Sequence, residues 1–229
     1  QGTPAEAGRK YALVVGVKTY RANQNLPPLP YAENDATELA AVLKDGGYQV
    51  TVMTQTIGRA EGKKVLDPQS HYVRDQLEAL IKTPFLGKDD VVLVALAGHG
   101  VQFDKIEKQP DGKEKKTPKF YFCPADAAIS DVKTAADVTE RNRLIDLDEL
   151  YAALKSCKAG GKVLLVDACR NDPSGIRAKS VTRPRIADPP GGTVAFFSCS
   201  ENEVAREDSD LKNGVFFHFV IEALKGAAD

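Results

Sequence analysis

The chain has 229 residues, an apolar fraction of 42% and a formal net charge of −1. That length accommodates one α/β domain with loops or two small domains, with enough apolar material for a sizeable core. The near-neutral balance gives no reason to expect nucleic acid or a membrane surface as a partner, and runs such as Val91–Ala97 fall far short of the roughly 20 apolar residues that span a bilayer.

Residues 1–10 begin with small and polar types and read as a flexible lead-in; a start at Gln1 instead of Met fits a fragment or a processed form. YALVVGV, from Tyr11 to Val17, is a β-branched run suited to a strand buried on both faces. Three prolines follow, then a helix from about Ala32 to Leu43, with Leu39, Val42 and Leu43 on one face and Asp45-Gly46-Gly47 as its stop. Tyr48 to Thr54 is a second strand and Gln55 to Gln69 a polar loop. The next helix runs from Ser70, its expected N-cap, to Lys82, with Val73, Leu77, Leu80 and Ile81 as its stripe.

Asp89 to Gly100 is the clearest buried strand. The charged segment 104–119, with six lysines and four acids around Pro-Asp-Gly, reads as an exposed hairpin or loop insertion, solvated and not a polyanion site. FYFCPAD then returns the chain to the core. A helix over Asp146–Cys157 and a strand ending in DAC follow. Segment 170–192 is rich in Pro, Gly and Arg and reads as a linker loop; TVAFFSCS is the fifth strand and Asn213–Leu224 the final helix.

Alternation of strands and helices argues an α/β fold: a mostly parallel central sheet with helices on both faces. In such sheets ligands bind outside the carboxyl ends of the strands. Three strands end in GHG, DAC and SCSE, which should bring His99, Asp167, Cys169 and Ser198 to one edge. His99 between two glycines can be a turn residue or an imidazole placed to move protons near neutral pH. Cys169 can be a small buried thiol or a nucleophile. Their common edge favours chemistry. The N–H groups of Gly100 and Cys169 can face a developing oxyanion, and His99 can protonate a leaving amine and later activate water. Cys123, Cys157 and Cys199 read as core or half-buried thiols, and His71 and His218 as structural. The four cysteines lack CxxC pairing, so neither zinc nor a disulfide framework is indicated. VVGVKTY lacks the glycine spacing of a dinucleotide turn.

DACRN, with GHG about 70 residues upstream, is similar to the caspase signature. Together with YALVVGVKTY, YAENDATELAAVL, VVLVALAGHG, LLVDACRND and GTVAFFSCSENEVA, in that order, the chain resembles the caspase-like cysteine peptidases, and more closely their bacterial metacaspase and orthocaspase relatives. The resemblance covers Tyr11 to Gly226. It implies a caspase-like three-layer sandwich, one catalytic domain over 11–229, a catalytic pair of His99 and Cys169, a thioester intermediate and an oxyanion hole at Gly100 and Cys169.

Two departures matter. The caspase glutamine two positions before the nucleophile is Asp167 here, and YAEND offers Asp35 where metacaspases place a second acid. Two carboxylates favour a cation, so cleavage after Arg or Lys is expected, with Ser198 and Glu201 bordering the pocket and Glu207 adding negative potential. The alternative roles are helix-end solvation for Asp35 and turn capping for Asp167. The second departure concerns calcium, which some metacaspases need. Only Asp126 lies near the corresponding place, so no required metal or other cofactor is expected. Arg177, Lys179, Arg183 and Arg185 in the linker are candidate self-cleavage sites or simply solvated cations. The expected partners are peptides or proteins bearing basic residues, with a further domain of the same chain also open. A non-cutting interaction module, and a cysteine amidase acting on small molecules, are the competing readings.

Overall fold

The computed structural model describes residues 8–21, 26–168, 188–198, 207–208 and 211–227. In chain order the elements are β1 (Lys10–Gly16), α1 (Ala32–Asp45), β2 (Tyr48–Thr54), a single turn α2 (Gln55–Gly58), α3 (Ser70–Ile81) and β3 (Val91–Ala97). There follow β4 (Gly100–Lys108), β5 (Glu114–Phe122), β6 (Ile145–Asp146), α4 (Leu147–Ser156), β7 (Gly161–Asp167) and β8 (Thr193–Phe197). β9 (Glu207–Asp208), β10 (Asn213–Gly214) and α5 (Val215–Glu222) complete the set, with Ala223–Ala227 closing it as a wider helical turn.

β2, β1, β3, β7 and β8 pair in that order, all parallel. The register puts Thr54, Gly16, Ala97 and Asp167 on one rung, so four strands finish level. Side chains alternate into two cores. Leu13, Val15, Val92, Val94, Leu96, Leu164 and Val166 face one side, with Val73 and Leu77 of α3 and Leu150 and Leu154 of α4. Ala12, Val14, Leu93, Ala95, Ala97 and Leu165 face the other, with Leu39 and Leu43 of α1 and Phe217 and Ile221 of α5. Burial on both faces is why these strands read as continuous apolar runs. The result is the expected three-layer α/β sandwich.

The second core is lined by small residues, so α1 lies close to the sheet. A Cβ on Gly16 would sit 2.4 Å from the Ala32 carbonyl oxygen and 2.8 Å from the Ala36 Cβ. Glycine at the end of β1 therefore lets the first turn of α1 rest on the strand.

The charged insertion is a hairpin. β4 and β5 pair antiparallel from Gly100↔Phe122 to Lys108↔Glu114, and β6 joins β5. Its root is buried: Val101, Phe103 and Tyr121 pack with Cys123, Ile129 and Leu144 in a third core. The exposed insertion is thus the outer end of a ribbon that begins immediately after His99.

Three local expectations change. Segment 55–69 is not simply loop: it holds α2 and a 3-10 turn, Lys64–Leu66, and the Glu33 carboxylate accepts the N–H and hydroxyl of Thr56 at 2.9 and 2.6 Å. Ser70 is not an N-cap. Gln69 occupies that position, and the Asp126 carboxylate accepts the Ser70 N–H at 2.8 Å. Asn213–Gly214 is a strand paired with β9, and the last helix starts only at Val215.

The amino edge of the sheet is held by Asp90. Its carboxylate accepts the Arg9 N–H and guanidinium, both at 2.7 Å, and the Gly87 N–H at 2.8 Å. The Arg9 side chain first, then the Gly87 and Arg9 amides, lower its pKa from 3.8 to about 2. A depressed carboxyl stabilises the fold fully above its unfolded pKa and ceases to do so as pH falls through the folded value. Urea midpoints measured between about pH 4 and about pH 2 should fall less steeply in Asp90→Asn than in wild type. Gly16→Val should destabilise by about 1–3 kcal/mol through overpacking at α1, read as a lower urea midpoint with an unchanged m-value.

Candidate active site

All five parallel strands send their carboxyl ends to one edge. β3 ends at Ala97, and Gly98 and His99 bridge it to β4. The Gly98 N–H donates to the Asp167 carbonyl oxygen at 3.0 Å, so the histidine turn abuts the end of β7. A Cβ on Gly98 would meet the Tyr20 hydroxyl oxygen at 2.9 Å and the Phe122 ring at 3.0 Å. Glycine is required there to keep His99 close to the sheet.

His99 is half-buried and fixed at three points. Its N–H donates to the Tyr20 hydroxyl at 2.7 Å, and its carbonyl accepts from the Cys123 N–H at 2.9 Å. Its ring Nε2 lies 2.8 Å from the Pro27 carbonyl oxygen. A carbonyl can only accept, so Nε2 carries the proton, and in the neutral ring Nδ1 is the basic nitrogen. The imidazole also packs on Tyr20, with ring centroids 4.9 Å apart. The loop that delivers Pro27 is tied to the segment just after β1 by the Leu29 N–H on the Lys18 carbonyl at 2.8 Å. Tyr20 and Pro27 were missed in the sequence because both act through tertiary contacts with no local signature.

Gly100 opens β4. The Cys123–His99 bond makes that rung a hydrogen-bonded one, so the next pair, Gly100 and Phe122, is non-hydrogen-bonded. The Gly100 N–H is therefore turned away from β5. Cys123 is itself buried in the third core, and burial pushes its thiol well above the ordinary range. A thiol so placed is inert. Cys157 is buried too.

Asp167 ends β7 and Asp35 lies in the first turn of α1; they are only 7% and 2% exposed. They meet at Gly214. The Gly214 N–H donates to both oxygens of Asp35, at 2.9 and 3.1 Å. Asp167 Oδ2 lies 2.6 Å, and Asp35 Oδ2 3.0 Å, from where a Gly214 Cβ would be. Two carboxylates thus share one buried spot next to the histidine turn. Asp35 is no solvated helix-end acid, and the glycine that joins the pair was expected inside a helix.

Ser198 continues the β7–β8 ladder, its N–H donating to the Val166 carbonyl at 3.0 Å. Strand alternation places it on the Asp167 face. Asp126, the acid weighed for calcium, is 4% exposed and spends both oxygens on Ser70, with the Arg143 Nε 3.7 Å away. Among the described residues no three or more His, Cys, Asp or Glu form a group able to hold a metal ion. Cys169 follows the buried Ala168 and lies outside the described residues, as do Glu201, Arg177, Lys179, Arg183 and Arg185. The Glu207 backbone pairs with Gly214.

The caspase-domain family model matches residues 9–229. Among solved structures, the crystal structure of protein GSU0716 from Geobacter sulfurreducens is similar, with 19% identity and a TM-score of 0.63, over 96% of this chain and 83% of that one. At that identity the likeness shows a shared fold. No match is found among curated proteins.

The His99 geometry is open to direct measurement. Long-range 15N–1H correlation of the neutral imidazole should give the Nε2–H pattern, and an Nδ1–H pattern would contradict the Pro27 contact. Tyr20→Phe should speed exchange of the His99 amide by about fivefold, the equivalent of one ordinary hydrogen bond.

Proposed function

We propose, for a chain that belongs to the caspase-domain family of cysteine peptidases, that it cleaves peptide bonds after Arg or Lys. The observation that carries this reading is the buried meeting of Asp35 and Asp167 at Gly214, at the strand edge that also bears His99. A guanidinium or ammonium entering there meets two carboxylates in a low-dielectric setting, whereas an acidic side chain is repelled. Ser198 and Glu201 are proposed to border the same pocket.

In the proposed reaction the Cys169 thiol gives its proton to Nδ1 of His99, and the sulfur attacks the scissile carbonyl. The N–H groups of Gly100 and Cys169 stabilise the oxyanion. His99 then protonates the leaving amine as the C–N bond breaks, leaving a thioester. Water, deprotonated by His99, hydrolyses it and restores the thiol. The Pro27 carbonyl on Nε2 favours this, because it presents Nδ1 for both transfers. Linker residues Arg177, Lys179, Arg183 and Arg185 are of the type the pocket accepts, which makes self-processing part of the proposal. With Asp126 committed to α3, turnover should not need an added metal.

Fluorogenic amides ending in Arg or Lys should turn over in the presence of a chelator, those ending in Asp should not, and Cys169→Ala should be silent. Asp35→Asn and Asp167→Asn should each lower kcat/KM on the basic amides by about 10- to 100-fold, the effect of losing one charge-assisted hydrogen bond. No turnover of any peptide would favour a non-cutting module, and hydrolysis of small amides alone a different amidase. Fragmentation of Cys169→Ala at the linker, without added protease, would remove self-processing.

A further inference from the structure

We infer that Gly214 is a specificity-determining residue, one whose missing side chain makes the acidic pocket possible; this rests on the pocket reading above. Its backbone has φ −63° and ψ 135°, a conformation open to any amino acid. The demand for glycine is therefore not conformational. It comes from space: a Cβ would lie 2.6 Å from Asp167 Oδ2, 3.0 Å from Asp35 Oδ2 and 3.7 Å from Asp167 Cγ. The atoms in the way are the two carboxylates themselves. Any larger residue must push at least one of them out of the shared spot.

Gly214 acts through its amide as well. By donating to both Asp35 oxygens it fixes the plane of that carboxylate. The strand carrying it is clamped to α1 by two further contacts. The Asn34 side-chain amide donates to the Lys212 carbonyl at 2.8 Å, and the Asn213 side-chain amide donates to Glu38 Oε2 at 3.2 Å. Asn34 and Glu38 are one turn apart on α1, at i and i+4, and Asp35 and Glu38 are at i and i+3, so the contacts come from adjacent positions of the helix. The clamp leaves Gly214 little freedom to retreat from a new side chain, so the cost of a methyl group falls on the carboxylates. Asn34 and Glu38 are positioning residues in this scheme.

The test compares wild type with Gly214→Ala on amides ending in Arg and in Ala, with iodoacetamide alkylation of Cys169, read by mass spectrometry, as a measure of thiol reactivity. Gly214→Ala should lose about tenfold or more in kcat/KM on the Arg amide. Its Arg-over-Ala selectivity should fall with it, and alkylation should stay within about twofold of wild type. An undiminished Arg amide would overturn the inference while leaving the peptidase proposal intact. So would a parallel fall in both amides and in alkylation. Wild type that cleaves neither Arg nor Lys amides would remove the pocket reading and this inference together. If Gly214→Ala melts early, Gly214→Ala/Asp167→Ala should regain the lost Tm because the obstructing oxygen is gone, and failure to regain it would count against the steric account.

Discussion

The close approach of α1 to the end of β1 is the constraint on which the remaining architecture rests. It exists because residue 16 has no side chain and because Ala12, Ala32, Ala36, Ala95 and Ala97 keep the layer between sheet and helix thin. A thin layer puts the first turn of α1 directly above the carboxyl ends of β1, β3 and β7. Asp35 is thereby buried, where an ionised carboxylate without hydrogen bonds would be strongly disfavoured. The Gly214 amide answers that demand, which draws β10 onto α1 and fixes where α5 begins. One steric allowance in the first strand thus sets the position of an acid in the first helix and of a strand near the end of the described chain.

The two edges of the sheet use the same chemistry to different ends. At the amino edge Asp90 stands against Arg9 and the Gly87 amide, a compensated charge that ties the first strand to the third. At the carboxyl edge Asp35 and Asp167 face a common point at Gly214, whose amide donates to both oxygens of Asp35. The first arrangement contributes to folding. On the proposed reading the second serves recognition, at the strand ends where ligands of such sheets bind.

Most of the frame was legible in the sequence because its physics is local. Strands buried on both faces must be apolar throughout, and α1, α3 and α4 must show their stripes; both signals are periodic and strong. The departures share a cause, which is a tertiary partner outweighing a local signal. Ser70 has the chemistry of an N-cap, yet its own amide is taken by Asp126 from 56 positions away, so the helix starts one residue earlier in role. Asn213-Gly214 directly precedes the apolar run of α5 and offers no break that reads as a strand, yet Asp35 and β9 hold it extended. Tyr20 and Pro27 bear on His99 only once the loop after β1 has folded back to Lys18. The acids at 35 and 167 could be suspected from their positions, but that they meet at a glycine depends on how closely three elements pack.

The partner chosen for His99 fits this division of roles. An imidazole is often oriented by a carboxylate, but under the proposed specificity a further acid in this cleft would compete for the cation assigned to Asp35 and Asp167. A backbone carbonyl orients the ring without adding charge, and it has no proton to gain or lose, so the contact persists at pH values where a carboxylate partner would titrate. Tyr20 extends the same economy by taking the His99 amide through a neutral hydroxyl. On the proposed reading, negative charge is reserved for recognising substrate, and neutral groups hold the proton carrier in place. The site is then strongly selective for cations without its histidine being locked to a fixed anion.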